Sequence, residues 1–115
     1  MVKIKLAIPT KGEQGLDDVV SEVFGRSKNF TIIEIVDNSI VNVNVIKNPV
    51  ISYKYGVGPI IVKMLADMGV TAVAAPEFGL GVSTLLEQNR IRKFNVNSNI
   101  SVREAVQKVI QELNR

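Results

Sequence analysis

A chain of 115 residues, 46% of them hydrophobic, is long enough to bury a core as one domain. Its formal charge is +3, and no Lys/Arg run is longer than Arg92-Lys93, so the weak positive field does not argue for nucleic acid. The chain has no Cys and no His, which excludes a disulfide framework, a thiol nucleophile, a Cys/His zinc site and Ser/His/Asp catalysis.

Val2, Ile4, Leu6 and Ile8 alternate with Lys3 and Lys5, which predicts a first strand ended by Pro9. This stretch lacks the continuous apolar run of a signal peptide. No window approaches the ~18 apolar residues of a membrane span, so a soluble cytoplasmic protein without membrane contact is expected. A polar loop over 10–15 follows. Asp17 is expected to cap a short helical turn reaching Val23, with Val19, Val20 and Val23 as its apolar side. Phe30 to Val36 reads as a second strand, and Asp37-Asn38-Ser39 has turn chemistry. Ile40 to Ile46 reads as a third strand, with Val41, Val43 and Val45 against Asn42 and Asn44. One wet face predicts an edge strand, joined to the second as a hairpin.

Lys47-Asn48-Pro49 breaks that strand. A loop carrying Tyr53, Lys54 and Tyr55 leads to Gly56, Gly58 and Pro59. Proline suits a helix's first turn, where its missing N–H costs nothing. Ile60, Met64 and Met68, with Ile61 and Leu65 beside them, give that helix an apolar face. Gly69 reads as its left-handed cap. Val70 to Ala75 is a short apolar run of small side chains, as in a strand covered on both faces. Pro76 to Gly81 forms a second glycine loop, and Val82 to Asn89 a second helix. Ile91 to Val96 is a fifth strand. Ser101 and Glu104 form a capping box for a last helix with the stripe Val102, Ala105, Val106, Val109, Ile110 and Leu113.

Short connections and right-handed crossovers arrange these elements as an α/β sheet ordered 3-2-1-4-5, with strand 2 antiparallel and helices on both faces. This is a ribonuclease H-like three-layer arrangement, read as a single domain over 1–115. Nuclease chemistry would need carboxylates for metal ions, one of them on the first strand. That strand has none.

Several residues have two readings. Gly56, Gly58, Gly79 and Gly81 either let backbone N–H groups approach an anion at helix N-termini or simply make turns. Arg26 either clamps an acidic group or pairs with Glu22. Tyr53 and Tyr55 either stack on a ligand or pack their loop, with Lys54 between them as a charge or a solvated side chain. Glu77 is the carboxylate placed where α/β sheets put function, or a loop residue in water. Asp17 and Asp18 either bind a hard cation together with Glu22, or Asp17 serves as a helix cap. Met64 and Met68 read as core, and so does Phe24.

Lys5-Leu-Ala-Ile-Pro9, Val20-Ser-Glu-Val-Phe-Gly-Arg26 with Phe30, Asn48-Pro49, Gly56-Val-Gly-Pro59 and Leu65-Ala-Asp-Met-Gly-Val70 occur in that order over nearly the whole chain. Together they resemble the dinitrogenase iron–molybdenum cofactor biosynthesis domain family. The resemblance implies the same fold and a non-catalytic binding or carrier domain. Its cargo would be the iron–molybdenum cofactor, its precursor or a related anionic metal–sulfur cluster. The implied site comprises Arg26, Tyr55, Gly56, Gly58, Pro59, Glu77, Gly79 and Gly81. The family commonly has His where Val23 stands, and His or Cys in the loop before Gly56; this chain has neither. Backbone N–H groups with Arg26 and Lys54 remain to hold an anion. The alternatives are a protein–protein adaptor using the edge strand, a homodimer, or a binder of an ordinary small anion with cluster binding lost along with His and Cys.

Overall fold

The computed structural model describes residues 2–115, and at Leu80 the backbone alone. The elements are β1 (Lys3–Thr10), a 3-10 turn (Gly15–Asp17), β2 (Asn29–Val36), β3 (Ser39–Lys47), α1 (Val57–Asp67), β4 (Ala72–Ala75), α2 (Leu80–Gln88), β5 (Arg92–Asn95) and α3 (Val102–Leu113). The sheet is ordered β3-β2-β1-β4-β5. β2 runs antiparallel to both β1 and β3, and β4 runs parallel to β1 and β5. The order, the mixed pairing and the distribution of helices are those expected from sequence, and are compatible with a ribonuclease H-like arrangement.

The pleat sorts the core into two layers. One face carries Ala7, Phe30, Ile32, Val73 and Ala75, covered by Ile61, Val62 and Leu65 of α1 and Leu86 of α2. The other carries Leu6, Ile8, Ile33, Ile35, Ala72 and Ala74, covered by Val102, Ala105, Val106 and Val109 of α3. The small side chains of β4 are all buried, which lets helices approach from both sides. Ser101 Oγ accepts from the Glu104 N–H at 3.0 Å, so the capping box of α3 forms. Gly69 (φ 82°) follows α1, with Val70 N–H bonding Leu65 O and Gly69 N–H bonding Ala66 O. These two bonds make a Schellman cap.

Four local expectations are corrected. β1 does not stop at Pro9 but pairs with β2 through Thr10. The carbonyl of Pro9 accepts from Ser21 N–H, on the side away from β2, so the missing proline N–H removes no β1–β2 bond. No helix runs from Asp17 to Val23. Asp18, not Asp17, is the buried acid, and it accepts from the N–H groups of Gly12, Gln14 and Val19. Val20 is fully buried in a bridge to Thr10, while Val23 is exposed. In β3 the register slips between Glu34 and Ile35, so Ile40 packs inward and Val41 is left exposed. On α1, Ile60 is exposed, and the inward stripe is Val57, Ile61, Val62 and Leu65.

Candidate functional site

β1, β3, β4 and β5 all run the same way, so their carboxyl ends share one edge of the sheet. The chain leaves β1 towards β2 and leaves β4 towards β5, on opposite sides. That divergence makes the crevice between β1 and β4 a topological switch point, where open α/β sheets place ligands. α1 and α2 both begin at this edge.

The two helix starts are built alike. Gly56 is the N-cap of α1 at φ 72°, and Gly79 the N-cap of α2 at φ 76°. Neither conformation suits an L side chain, and neither cap has a side-chain hydrogen bond. Of the three α-helices, only α3 has its first turn capped by a side chain. The N–H groups of Val57 and Gly58, and those of Leu80, Gly81 and Val82, precede the first intrahelical bonds of their helices and therefore open outwards. Pro59, also in the first turn, is exposed and has no N–H to offer. Gly58 does a different job. A Cβ there would lie 2.9 Å from Val82 Cγ2, so its absence lets the two helix starts pack side by side. Gly81 lies within α2 rather than in the loop before it, since α2 begins at Leu80. A Cβ there would meet nothing within 4 Å.

Arg26 does not pair with Glu22. Its Nη1 donates to the Tyr53 carbonyl and its Nη2 to the Lys54 carbonyl at 3.0 Å. The guanidinium thus braces the loop that delivers the chain to Gly56. Asn48 welds the same two segments from below. Its Nδ2 donates to Gly25 O (3.1 Å) and Ser27 O (2.9 Å), and its Oδ1 accepts from Val50 N–H (3.0 Å). Tyr55, beside Gly56, is 87% exposed. The structure therefore groups Arg26, Tyr55, Gly56, Gly58 and Pro59 around the start of α1.

Glu77, Gly79 and Gly81 form a second group at the start of α2, and Glu77 is exposed. Pro76, Glu77, Phe78, Gly79, Ser83, Lys93 and Asn95 line an open cleft of about 540 Å³ there. Asn95 Nδ2 holds the Pro76 carbonyl at 3.2 Å, and Lys93 pairs with Glu87 at 2.9 Å. Phe78 ties the second group to the first: its ring lies 5.5 Å from that of Phe24, which meets Phe30 edge-on at 5.5 Å. In the sequence Asn48 reads only as part of a strand-breaking Asn-Pro pair and Phe78 only as part of a glycine loop, so neither bracing role is foreseen there. Their signals were an Asn fixed before a proline and an aromatic inside a glycine loop.

Residues 2–112 match the model of the family described as dinitrogenase iron–molybdenum cofactor. The chain belongs to this family. An uncharacterised protein of Methanocaldococcus jannaschii is 28% identical to it over 95 residues, covering 83% of this chain and 76% of that protein. Among solved structures, the apo form of the orange protein from Desulfovibrio gigas superposes with a TM-score of 0.83. It is 22% identical, over 94% of this chain and 88% of its own. A Thermotoga protein provisionally named as NifB gives a TM-score of 0.76 at 28% identity, again over 94% and 88%. The sheet order and helix placement derived above are thus shared with these solved structures.

The donor set bears on whether this chain could ligate a metal–sulfur cluster directly. Thiolate and imidazole are absent from the sequence. Among the described residues no group of three or more carboxylates gathers as a metal site. Both Asp18 oxygens accept backbone N–H groups, and Asp17 faces Arg103 at 3.4 Å. The residues present do not fit direct ligation of a metal–sulfur cluster. They fit contact with the outer atoms of an anion, through N–H groups and positive charge. Among the described residues, no helix is long and apolar enough to cross a membrane.

Proposed function

We propose that this chain is a non-catalytic domain that carries an anionic cargo, of the kind its family is named for, on the carboxyl edge of the sheet. The observation that carries this reading is the pairing of two glycine-capped helix starts, α1 and α2, packed together through Gly58 and Val82. Each start presents free N–H groups and the positive end of a helix dipole. Arg26 and Lys54 add charge beside the first, and neither has a carboxylate partner within 4 Å among the described residues. Tyr55 supplies an exposed ring, and Glu77 stands at the rim to limit which anions fit. The whole of 1–115 works as one domain. The cargo is the iron–molybdenum cofactor, its precursor or a related metal–sulfur anion, held by its outer sulfur or oxygen atoms.

A second reading, docking of a protein partner at the same end, has its own support. Of the seven exposed large apolar side chains among the described residues, five belong to segments gathered here: Val23, Ile51, Tyr53, Tyr55 and Ile60. Such a partner would deliver or receive the cargo. Strand addition at β3 is a further route, since β3 is an edge of the sheet.

The deciding experiment is anaerobic. The protein is purified from its native background, its visible absorption recorded, and iron, molybdenum and sulfide counted per chain. Metal and sulfide in stoichiometric amount support the carrier reading. A colourless, metal-free protein that also shows no amide shifts at 56–58 and 79–82 with molybdate, phosphate or a reconstituted iron–sulfide cluster would overturn it.

A further inference from the structure

At the opposite edge of the sheet, the start of β1, β4 and β5 and the end of α3 line an open cavity of about 320 Å³. It lies among the residues of the second core layer, away from the carrier site. Its floor is apolar, from Ile4, Ala72, Phe94 and Leu113, with the exposed Val2 at its rim. Lys3, Arg90 and Arg92 also line it, together with Thr71, and no carboxylate does. Only Lys3 has an acidic neighbour, Glu34 at 3.8 Å. Arg92 is held over the Phe94 ring at 5.0 Å, which fixes its guanidinium on the cavity wall.

Arg90 is the most telling of these residues. It follows α2 at φ 59°, with its N–H bonding Glu87 O and the Ile91 N–H bonding Leu86 O. This repeats the Schellman geometry that closes α1, where the left-handed position is held by Gly69. An arginine in the position that favours glycine costs stability. Strain kept at a cavity wall points to use of the side chain. The cations are not needed to satisfy the end of α3. Asn114 N–H and Nδ2 bond Ile110 O, and Arg115 N–H bonds Glu112 O.

We infer that this cavity is a second binding site, for a small molecule with an apolar body and one anionic group such as a carboxylate. The body would rest on Ile4, Ala72, Phe94 and Leu113, and the anionic group would meet Arg90 and Arg92. The cavity volume is at the lower end of the range for small-molecule sites. The site does not depend on the carrier reading.

The probe is octanoate, titrated into the 15N-labelled protein at low ionic strength, with octyl glucoside as the uncharged control. Saturable amide shifts are expected at 2–4, 71–72, 90–94 and 113, with a dissociation constant on the order of millimolar. The control should leave them small. Arg90→Gly separates structure from binding. Glycine suits φ 59°, so the variant should melt about 2–5 °C higher than the parent. It should also bind octanoate about tenfold more weakly, since a charged contact is lost. Arg92→Gln gives a second reading of the same loss. The proposal is overturned if octanoate leaves these amides unmoved. Equal shifts with octyl glucoside, or unchanged affinity in Arg90→Gly, would overturn it as well.

Discussion

Gly58→Ala tests whether this glycine is a packing residue. An alanine Cβ would stand 2.9 Å from Val82 Cγ2. Carbon atoms pack best at about 3.5–4.0 Å, so the helix starts must part by roughly 0.6–1 Å or Val82 must turn. Valine in a helix has one strongly preferred rotamer, which makes turning costly. Overpacking of this size costs about 1–3 kcal/mol. Alanine returns up to about 1 kcal/mol in helix propensity, and less in the first turn. The net expectation is a loss of about 0.5–2 kcal/mol, or a fall in Tm of roughly 2–8 °C. Val82→Ala removes the obstructing methyl groups at small cost, because Val82 is only partly buried. In that background Gly58→Ala should be close to neutral, a coupling of about 0.5–2 kcal/mol in a double-mutant cycle. Urea and thermal unfolding of the four proteins measure it. If Gly58→Ala is as stable as the parent, or falls equally in both backgrounds, the packing argument is wrong.

Asn48→Ala leaves the carbonyls of Gly25 and Ser27 and the N–H of Val50 without their shared partner in a buried place. A loss of about 2–3 kcal/mol is expected in urea unfolding. Arg26→Gln should change global stability little, because the side chain is exposed. It should instead speed amide exchange at 53–56, and unchanged exchange there would show that the loop does not depend on the guanidinium.

The features legible in the sequence were those set by local pattern. The small apolar side chains of Ala72–Ala75 gave a strand covered on both faces, and the Ser101–Glu104 spacing gave a cap that forms as read. What failed depended on neighbours that a local pattern does not contain. On α1 the sequence reading of Ile61, Leu65, Met64 and Met68 as the inward face holds, but Ile60 is exposed and Val57 and Val62 are buried instead, a choice made only by docking against the sheet. A bulge is a property of two strands, so Val41 could not be placed from β3 alone. The glycines divide for the same reason. Gly56 and Gly79 are required by backbone angle, and Gly58 by a side chain on another helix. Each is simply a glycine in the sequence. Arg26 was read as a charge, yet its observed partners are carbonyls, which every residue carries and no motif records.

The contrast among helix starts bears on how cargo would be kept and released. α3 is closed by Ser101 and gains the stability that a good N-cap gives, about 1 kcal/mol. α1 and α2 lack that acceptor, because Gly56 and Gly79 have no side chain to turn back onto the first N–H groups, though a glycine N-cap costs only a few tenths of a kcal/mol relative to serine. At φ values above 70°, replacement by Ser or Asp would add strain along with the missing acceptor. The same backbone angles that leave these donors open also keep capping residues out. Without a thiolate or imidazole in the sequence, no coordinate bond of that type would have to be broken for the proposed cargo to leave. In the proposed carrier, retention would rest on hydrogen bonds and charge, which salt weakens. A carrier of this kind would load and unload by competition with other anions rather than by ligand exchange at the metal.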